Sequence, residues 1–346
     1  MERKATLKDV AAASGVSVAA VSLVLNNRPN RLAQETRDLI LRQAELLHYV
    51  PNQNARSLVT RQSMLLALIV PDIENLFFAS LAKAIEDVFA AEGYALIVAN
   101  SDDSRDREHE LLRMLDARGI DGLMLIAARE SIERADDMRR DMQRMSCPIL
   151  MVDRLPEECD YDFVGSDNHY GGALAARALV EAGHTAIGCI FADEESGSAQ
   201  ARKTGFMEEL ARHGISVPDA LRAEGDYRFS GGYAAADQLI DAGATAVFCG
   251  NDLMALGFIE RARERGVAVP QEMSVVGYDN IAARLGVMLP LTTFDQNVKA
   301  LAADARDIMT ATINAAAPGP KQSATRRLIK PSLVDRDTIR EPRSQW

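Results

Sequence analysis

Apolar residues recur at helical spacing near the start of the chain, in two short repeats separated by a break. The repeats consist of Leu7, Val10 and Ala11 and of Val18, Val21 and Leu25. Gly15 stands in the break, where glycine can take a positive φ at no steric cost. Thr6 with Asp9, and Ser17, stand where side chains cap helices. The pattern predicts a helix-turn-helix, whose second helix enters the DNA major groove, or an ordinary helix pair of an α-helical domain.

A third helix is predicted over 34–47, because apolar residues again follow one side. It ends before Pro51, since a residue that precedes proline avoids the α region. A polar heptad follows at 52–58 and is too short to form a stable helix alone. We therefore expect this heptad to become ordered only against a partner, such as DNA or a second copy of the chain.

From Leu65 onward the pattern changes to apolar runs without alternation, separated by helical patterns. The runs lie at 65–70, 95–99, 122–126, 149–152, 186–191, 246–249 and 274–277, and helical patterns include 78–91, 108–118, 170–182, 202–213, 232–242 and 253–265. This order is typical of parallel sheets covered by helices on both faces. The length predicts two α/β lobes with a ligand cleft between them, beyond the carboxyl ends of the strands.

Charge is distributed unevenly along the chain. The 346 residues carry a net charge of −11, but residues 1–61 hold nine Lys or Arg and five Asp or Glu. The first segment is therefore positive by four charges, and the remaining chain carries −15. A basic head on an acidic body localises the attraction for DNA phosphates, and so modest a surplus favours a dimer that presents two heads.

Other residue patterns narrow the function classes. No run of about 18 apolar residues could span a membrane, and no segment of signal-peptide type is present, so we expect a cytoplasmic protein without a membrane partner. Four widely spaced cysteines predict reduced thiols, and no Cys/His metal pattern occurs. We expect no metal, no cofactor and no catalytic residues, since GxSxG, GxxxxGK[ST] and GxGxxG motifs are missing.

The chain resembles the LacI/GalR (lactose repressor) family of bacterial transcriptional regulators over nearly its whole length. Matching segments include Leu7-Lys8-Asp9-Val10-Ala11, Gly15-Val16-Ser17, Tyr49-Val50-Pro51-Asn52, Val70-Pro71-Asp72-Ile73, Asn251-Asp252 and Val276-Gly277-Tyr278-Asp279. The resemblance implies an all-α helix-turn-helix domain at 1–50, a hinge helix and linker at 51–62, and an effector-binding and dimerisation core at 63–346. That core would resemble periplasmic binding proteins, with two Rossmann-like α/β lobes built on parallel sheets.

The lobes implied by the resemblance are discontinuous in sequence. We expect the first to contain about 63–163 and 292–326, and the second about 164–290 and 327–340. The chain would cross between them near 163–165, 290–293 and 326–329. The charged segment 335–346 lacks the leucine heptad of tetrameric relatives, which predicts a loose tail and a dimer.

The implied function is that of a homodimeric repressor that binds a palindromic operator. A small metabolite in the cleft, a sugar or sugar derivative with a pentose such as ribose as one candidate, would control DNA affinity. The alternatives are a sugar-binding protein or a sugar-processing enzyme with a fused helical domain. The sequence leaves open whether the effector releases DNA or promotes its binding.

The family resemblance implies two groups of DNA-binding residues. The head contributes Thr6, Leu7, Ser17, Val18, Ala19, Ser22, Leu23 and Asn26, and the hinge contributes Asn52, Ala55, Arg56 and Leu58. Leu58 would wedge into the minor groove, where unstacking is offset by the contacts that a bend allows. The alternative is that the serines cap helices and the apolar residues pack. Ala20 replaces a frequent Thr of the family, and Leu23 replaces an Arg that often reads a base.

The resemblance also implies an effector site formed by Asn75, Phe77, Phe78, Asp153, Arg202, Phe229, Asn251 and Asp279. The planar fork of Arg202 suits vicinal hydroxyls or a carboxylate, and the two aspartates can accept from sugar hydroxyls. The alternative is a structural Arg–Asp pair. Leu76 stands where the family usually has proline, which leaves the geometry of that loop open. Phe229 could stack on a sugar, whereas Arg228 could favour an acidic or phosphorylated one.

Leu23 gives the first prediction. Arginine reads guanine through two hydrogen bonds, whereas leucine can only pack or contact a thymine methyl group. We expect Leu23→Arg to shift the preference at one operator base pair towards guanine, measured by gel retardation of duplexes that vary at each position. An unchanged preference would contradict this assignment.

Overall fold

The structure of the protein is a computed structural model that describes residues 5–26, 29–49, 62–156, 159–192, 197–285, 290–315 and 324–342. The chain divides into two compact units, Met1–Ser63 and Met64–Trp346, which we call the head and the body. Residues 51–61 of the expected hinge, with Asn52, Ala55, Arg56 and Leu58, lie outside the described residues. Each unit is described by itself.

The head contains the expected helices, α1 (Leu7–Ser14), α2 (Val18–Leu25) and α3 (Gln34–Leu46). A capping box opens α1: the Thr6 hydroxyl accepts from the Asp9 N–H, and the Asp9 carboxylate accepts from the Thr6 N–H at 2.8 Å. Gly15 ends α1 with φ 65°, the left-handed conformation predicted for the turn. The Ser17 hydroxyl accepts from the Ala20 N–H and caps α2.

A small apolar centre holds the three helices together, with Val10, Ala11, Val21, Ile40 and Ala44 buried. The expected stripes are corrected at two positions, because the side chains of Val18 and Leu39 are 40% and 38% exposed. Val18 is the first residue of α2, and Val21 is the only residue of that helix that is fully buried. The start of α2 therefore presents an outward surface.

Across the described ranges, no single helix is both long and apolar enough to cross a bilayer. The pair α1 and α2 meets this measure only when taken together, and the two helices are bent by 106° at their junction.

The first lobe of the body is built on a parallel six-stranded sheet. Its strands are β1 (Leu65–Val70), β2 (Ala95–Asn100), β3 (Gly122–Leu125), β4 (Ile149–Val152), β5 (Asp162–Ser166) and β11 (Arg326–Ile329), in the order β11-β5-β4-β3-β1-β2. Its helices are α4 (Leu76–Ala90), α5 (Arg105–Asp116), α6 (Arg129–Glu133), α7 (Ala135–Met142) and α13 (Val298–Asn314). Separate apolar clusters cover the two faces of the sheet. The central strands are buried throughout, which explains their unalternating sequence.

The second lobe has a parallel four-stranded sheet. Its strands are β6 (Ile187–Ala192), β7 (Arg222–Gly225), β8 (Ala246–Cys249) and β9 (Ser274–Val276), in the order β7-β6-β8-β9. Its helices are α8 (Asn168–Glu181), α9 (Gly197–Arg212), α10 (Phe229–Asp241), α11 (Asp252–Glu264) and the short α12 (Ala282–Leu285). One apolar cluster unites this sheet with its helices. The two lobes confirm the expected α/β architecture.

Among the described residues, three segments connect the lobes, and the structure moves two of the expected crossings. The strands β5 and β11 pair with each other from Phe163↔Arg326 to Ser166↔Ile329, inside the sheet of the first lobe. Residues 164–166 and 327–329 therefore belong to the first lobe and not to the second, because their backbone completes its parallel ladder. Beyond them, β10 (Thr293–Asp295) and β12 (Ser332–Val334) form an antiparallel pair between the lobes.

The end of the chain corrects a further expectation, since residues 335–342 are docked rather than loose. Thr338 is buried, its hydroxyl donates to the Val275 carbonyl at 2.6 Å and accepts from the Thr292 N–H at 2.8 Å. His184 Nε2 lies 2.7 Å from the Arg340 carbonyl oxygen, and burial lowers the pKa of this histidine. A neutral His184 thus anchors the chain end to the second lobe.

Candidate functional site

A cavity of about 290 Å³ opens where the strands of both lobes end. Its walls carry residues that follow β1, β2 and β4 in the first lobe and β7, β8 and β9 in the second. The carboxyl ends of parallel strands meet at one edge of a sheet, so side chains from distant parts of the sequence converge there. We call this cavity the cleft.

The cleft brings together seven of the eight expected effector residues. It is lined by Asp72, Asn75, Phe77, Phe78, Asp102, Asp103, Arg129, Asp153, Arg154, Ser198, Ala199, Arg202, Asp226, Tyr227, Arg228, Asn251, Asp279 and Gln296. Six aspartates and four arginines in this set make the walls strongly polar.

Arg202 is buried at the base of the cleft and is held by neutral groups. Its Nε and Nη2 donate to Asn168 Oδ1 at 3.0 and 2.6 Å, and its Nη1 donates to the Gly250 carbonyl. The guanidinium carbon lies 3.6 Å from the centre of the Tyr278 ring, a cation–π contact. Within the described residues Arg202 forms no salt bridge with an aspartate, so the alternative of a structural Arg–Asp pair is not what the fold contains.

The carboxylates of Asp153 and Asp279 share this desolvated environment. Asp153 has φ 60° and, as far as the described ranges extend, its carboxylate makes no hydrogen bond or ion pair. Asp279 has φ 103°, and its Oδ1 accepts from Gln296 Nε2 at 2.6 Å. Burial raises the pKa of both groups, that of Asp279 to about 8, and the nearby Arg202 offsets only part of this effect. Acceptor oxygens are therefore available to a ligand.

Other expected residues have structural tasks as well. Asn251 caps α11 by accepting from the Met254 N–H at 2.9 Å, while its amide donates to the Tyr227 carbonyl at 2.9 Å. Asn75 caps α4 through the Phe77 N–H at 3.0 Å, so the helix begins at Leu76 without the proline that the family usually has. Asn75 and Asn251 set the positions of the cleft walls by fixing where these helices begin.

The aromatic residues divide between wall and surface. Phe77 and Phe78 are buried, with their rings edge to face at 5.4 Å, and they belong both to the cleft wall and to the apolar centre of the first lobe. Phe229 is absent from the cleft lining; its side chain is 45% exposed and stacks on Tyr233. The expected stacking of Phe229 on a sugar is corrected, because α10 begins at this residue and the preceding Tyr227 and Arg228 face the cleft instead.

Several lining residues were not among the expected effector residues. Arg228 of the second lobe donates from Nη2 to Asp72 Oδ2 of the first at 2.8 Å, and this ion pair joins the two walls. Arg154 donates to Asp103 at 2.6 Å within the first lobe. A positional signal existed for Asp72, Asp102 and Asp103, because polar residues that closely follow a predicted strand face the edge where ligands bind.

The expected DNA-contacting residues of the head differ in how far they are exposed. Ser17, Val18 and Ala19 are exposed at the start of α2, whereas Ser22, Leu23 and Asn26 are partly buried, and the Asn26 amide donates to the Ser22 carbonyl at 2.7 Å. At the start of α1, Thr6 is exposed and Leu7 is partly buried against the apolar centre. Ser17 therefore caps α2 and is also part of the exposed surface at the start of that helix.

Over the described part of the chain, no group of three or more His, Cys, Asp or Glu side chains is placed to hold a metal ion. The described cysteines are free thiols, and burial raises the pKa of the Cys189 thiol to about 12, which keeps it protonated.

Comparisons with known proteins agree with both units. Residues 6–52 match the family described as bacterial regulatory proteins, lacI family, and residues 176–339 match the periplasmic binding protein-like domain. The HTH-type transcriptional repressor PurR of Vibrio cholerae serotype O1 is 31% identical over 343 residues, which cover 97% of this chain and 98% of that protein.

Two solved structures show the same architecture. The lac repressor dimer bound to operator and the anti-inducer ONPF matches with a TM-score of 0.85 and 25% identity, over 98% of this chain and 100% of that chain. A LacI family transcriptional regulator from Enterococcus faecium with bound ribose matches with a TM-score of 0.70 and 26% identity, over 80% and 99% of the two chains.

Asp279 generates a pH prediction. Its pKa rises from an ordinary 3.8 to about 8 on folding, so between these values the folded state holds a proton that the unfolded state has lost. The contribution of this group to the free energy of unfolding is full below pH 4 and falls by about 1.4 kcal/mol per pH unit as pH rises towards 8. Asp279→Asn should lack this slope.

The measurement is urea unfolding of the wild type and variant at several values between about pH 5 and pH 8. Asp219→Asn, a change at a fully exposed carboxylate, is the matched control and should keep the wild-type slope. Equal slopes for all three proteins would mean that Asp279 is ionised in the folded state.

Proposed function

Because the chain belongs to the LacI family of bacterial regulatory proteins, we propose that it is a homodimeric repressor whose affinity for a palindromic operator is controlled by a sugar in the cleft. The coarser part rests on family membership: this is a DNA-binding transcriptional repressor with an effector-binding domain. The proposed division is a head at 1–50, a hinge at 51–62 and a body that binds effector and dimerises. One observation carries the effector proposal, the presence of unengaged carboxylate oxygens beside a rigidly held Arg202.

The chemistry of the cleft favours a polyhydroxyl compound. Asp153 and Asp279 present acceptors, and Arg202 retains N–H groups beyond those bonded to Asn168 and Gly250. A hydroxyl both donates and accepts, so a ring with adjacent hydroxyls can satisfy both kinds of partner at once. A pentose such as ribose is our leading candidate, and the ribose-bound relative supports it.

The pairing of cleft arginines with aspartates argues against acidic and phosphorylated sugars. Arg228 and Arg154 are already engaged by Asp72 and Asp103, so they do not offer free positive charge to an anion. Arg129 at the mouth is exposed and, among the described residues, has no side-chain partner. Even with the Asp279 carboxyl protonated, the aspartates of the lining outnumber its arginines, five to four, which supports an uncharged sugar.

For DNA recognition we propose that Ser17, Val18 and Ala19 contact operator bases and phosphates from the start of α2. Their exposure supports this role, and a helix N-terminus attracts phosphate. Thr6, Leu7, Ser22, Leu23 and Asn26 complete the proposed surface of the head. Asn52, Ala55, Arg56 and Leu58 remain the proposed hinge contacts with the minor groove.

The exposed edge of the first sheet supports the homodimer. The strand β2 ends the six-stranded sheet on one side, and Val98 on it is 42% exposed. An unpaired strand edge with an apolar side chain is usually covered by another element. In a dimer with a twofold axis, the β2 edge of each copy would be covered by the other copy. The lac repressor, similar over the whole chain, is a dimer in its operator complex.

Control by the effector would follow from a shift between two lobe arrangements. The ion pair Arg228–Asp72 spans the cleft and favours the arrangement in which its side chains meet. A ligand that binds one arrangement more tightly shifts the population towards it and changes DNA affinity by the same differential free energy. A sugar-processing enzyme remains the second candidate, and incubation with sugars followed by product analysis separates it.

The regulatory proposal is tested with the intact protein. We expect one palindromic duplex to be retarded specifically in gels, a dimer mass by sedimentation, and a changed duplex affinity when the effector is added. A tetramer would contradict the dimer, and a conversion of sugar to product without DNA binding would overturn the repressor assignment.

Asp153 provides the test of the cleft. A thermal-shift panel of pentoses, hexoses, sugar acids, sugar phosphates and purines identifies the effector class, since a bound ligand raises the melting temperature. With the compound so identified, Asp153→Asn should bind at least about tenfold more weakly, because a hydrogen bond to a charged group contributes about 1.5–3 kcal/mol.

The matched control is again Asp219→Asn, which should bind like the wild type. Asp153→Asn should be as stable as the wild type or more so, since it removes a buried carboxylate that has no hydrogen bond to lose. Unchanged affinity in Asp153→Asn would place the ligand elsewhere.

A further inference from the structure

The first lobe contains a second cavity of about 280 Å³, between α5 and α7, which shares no lining residue with the cleft. Four arginines line it, Arg105, Arg134, Arg140 and Arg144, together with three aspartates and His109. The set carries a net charge of +1 when the histidine is neutral. The proposed repressor function makes no use of it.

Arg105 is the unusual member of this group. Its side chain is only 6% exposed and its Nη2 bonds to Asp141, but its Nε and Nη1 are buried without a hydrogen-bond partner in the described structure. Glu108 lies nearby, yet its carboxylate accepts from the Ala128 N–H and the Ser131 hydroxyl, both at 2.7 Å. Buried donors left unsatisfied are costly, so they point to an absent acceptor.

The three aspartates of the cavity do not neutralise all four of its arginines. Asp141 is engaged by Arg105 and lies 2.7 Å from His109 Nδ1, and Arg140 bonds to Asp137. Arg144 approaches Asp141 only to 3.9 Å. Arg134 makes no side-chain hydrogen bond or ion pair within the described ranges.

We propose that this cavity binds a phosphate-type dianion, either inorganic phosphate or the phosphate group of a small ester. Guanidinium groups bind phosphate through paired N–H donors, and a dianion can accept from several of them at once. A tetrahedral anion offers more acceptor directions than a planar carboxylate, which suits a cavity lined by Arg105, Arg134 and Arg144. With Asp106 included, the side chains that line the cavity still carry a net charge of +1 when His109 is neutral.

The test is isothermal titration of the full-length protein with sodium phosphate against sodium chloride at equal ionic strength. We expect saturable binding of one phosphate per chain, and weakening by about tenfold or more in Arg134→Gln/Arg144→Gln, since charge-assisted hydrogen bonds are lost. Both side chains are exposed, so the variant should fold, which a melting curve checks. Arg113→Gln, an exposed arginine on α5 outside the cavity, is the matched control and should bind like the wild type.

A second titration with glycerol phosphate distinguishes the two sources. Tighter binding of the ester would identify a phosphorylated metabolite, and equal or weaker binding would identify inorganic phosphate. Absence of saturable binding, or equal weakening in Arg113→Gln, would overturn the proposal. Loss of phosphate binding in Arg129→Gln instead would place the anion in the cleft and overturn it as well.

Discussion

The arrangement of the body depends on one constraint, the shared direction of the strands in each parallel sheet. Because all strands of a lobe end at the same edge, their final residues meet there whatever their distance in the sequence. Asp153 after β4 and Asp279 after β9 reach the same cleft in this way, although they are on different lobes. In the part of the chain that the structure describes, three segments cross between the lobes, and these connections keep the two edges opposite each other.

The cleft also depends on the burial of charged side chains. A guanidinium in a desolvated site is stabilised by hydrogen-bond acceptors and by an aromatic face, and Arg202 has an amide oxygen, a carbonyl and an aromatic ring as partners. Had an aspartate formed a direct salt bridge with Arg202, the cleft would be self-sufficient and less able to respond to a ligand. The strained φ values of Asp153 and Asp279 are consistent with a site arranged for binding rather than for stability alone.

Sequence reasoning succeeded at most strands that are buried on both sides, although it missed β5, which is buried at every position but has Asp162, Gly165 and Ser166 in place of a continuous apolar run. The strand β1 has the predicted bounds, and the runs that form β3, β4 and β8 are buried at every position. It failed at two of the four edge strands of the lobe sheets: β7 and β11 alternate between exposed and covered residues and contain arginines, so no apolar run marks them. The docking of 335–342 was missed for a related reason, because hydrogen bonds of Thr338 and His184 secure it and leave no apolar pattern.

The sequence by itself determined the helix-turn-helix, the α/β character of the body, the family resemblance and seven of the eighteen residues that line the cleft. Helix caps, burial and strand order are local or repetitive properties, and they leave a readable pattern in the chain. Only the tertiary structure decided which side chains face each other: that Arg202 has neutral partners, that Phe229 points away from the cleft, and that Arg228 reaches Asp72 across it. Those outcomes depend on contacts between residues far apart in sequence, where no local pattern carries the information.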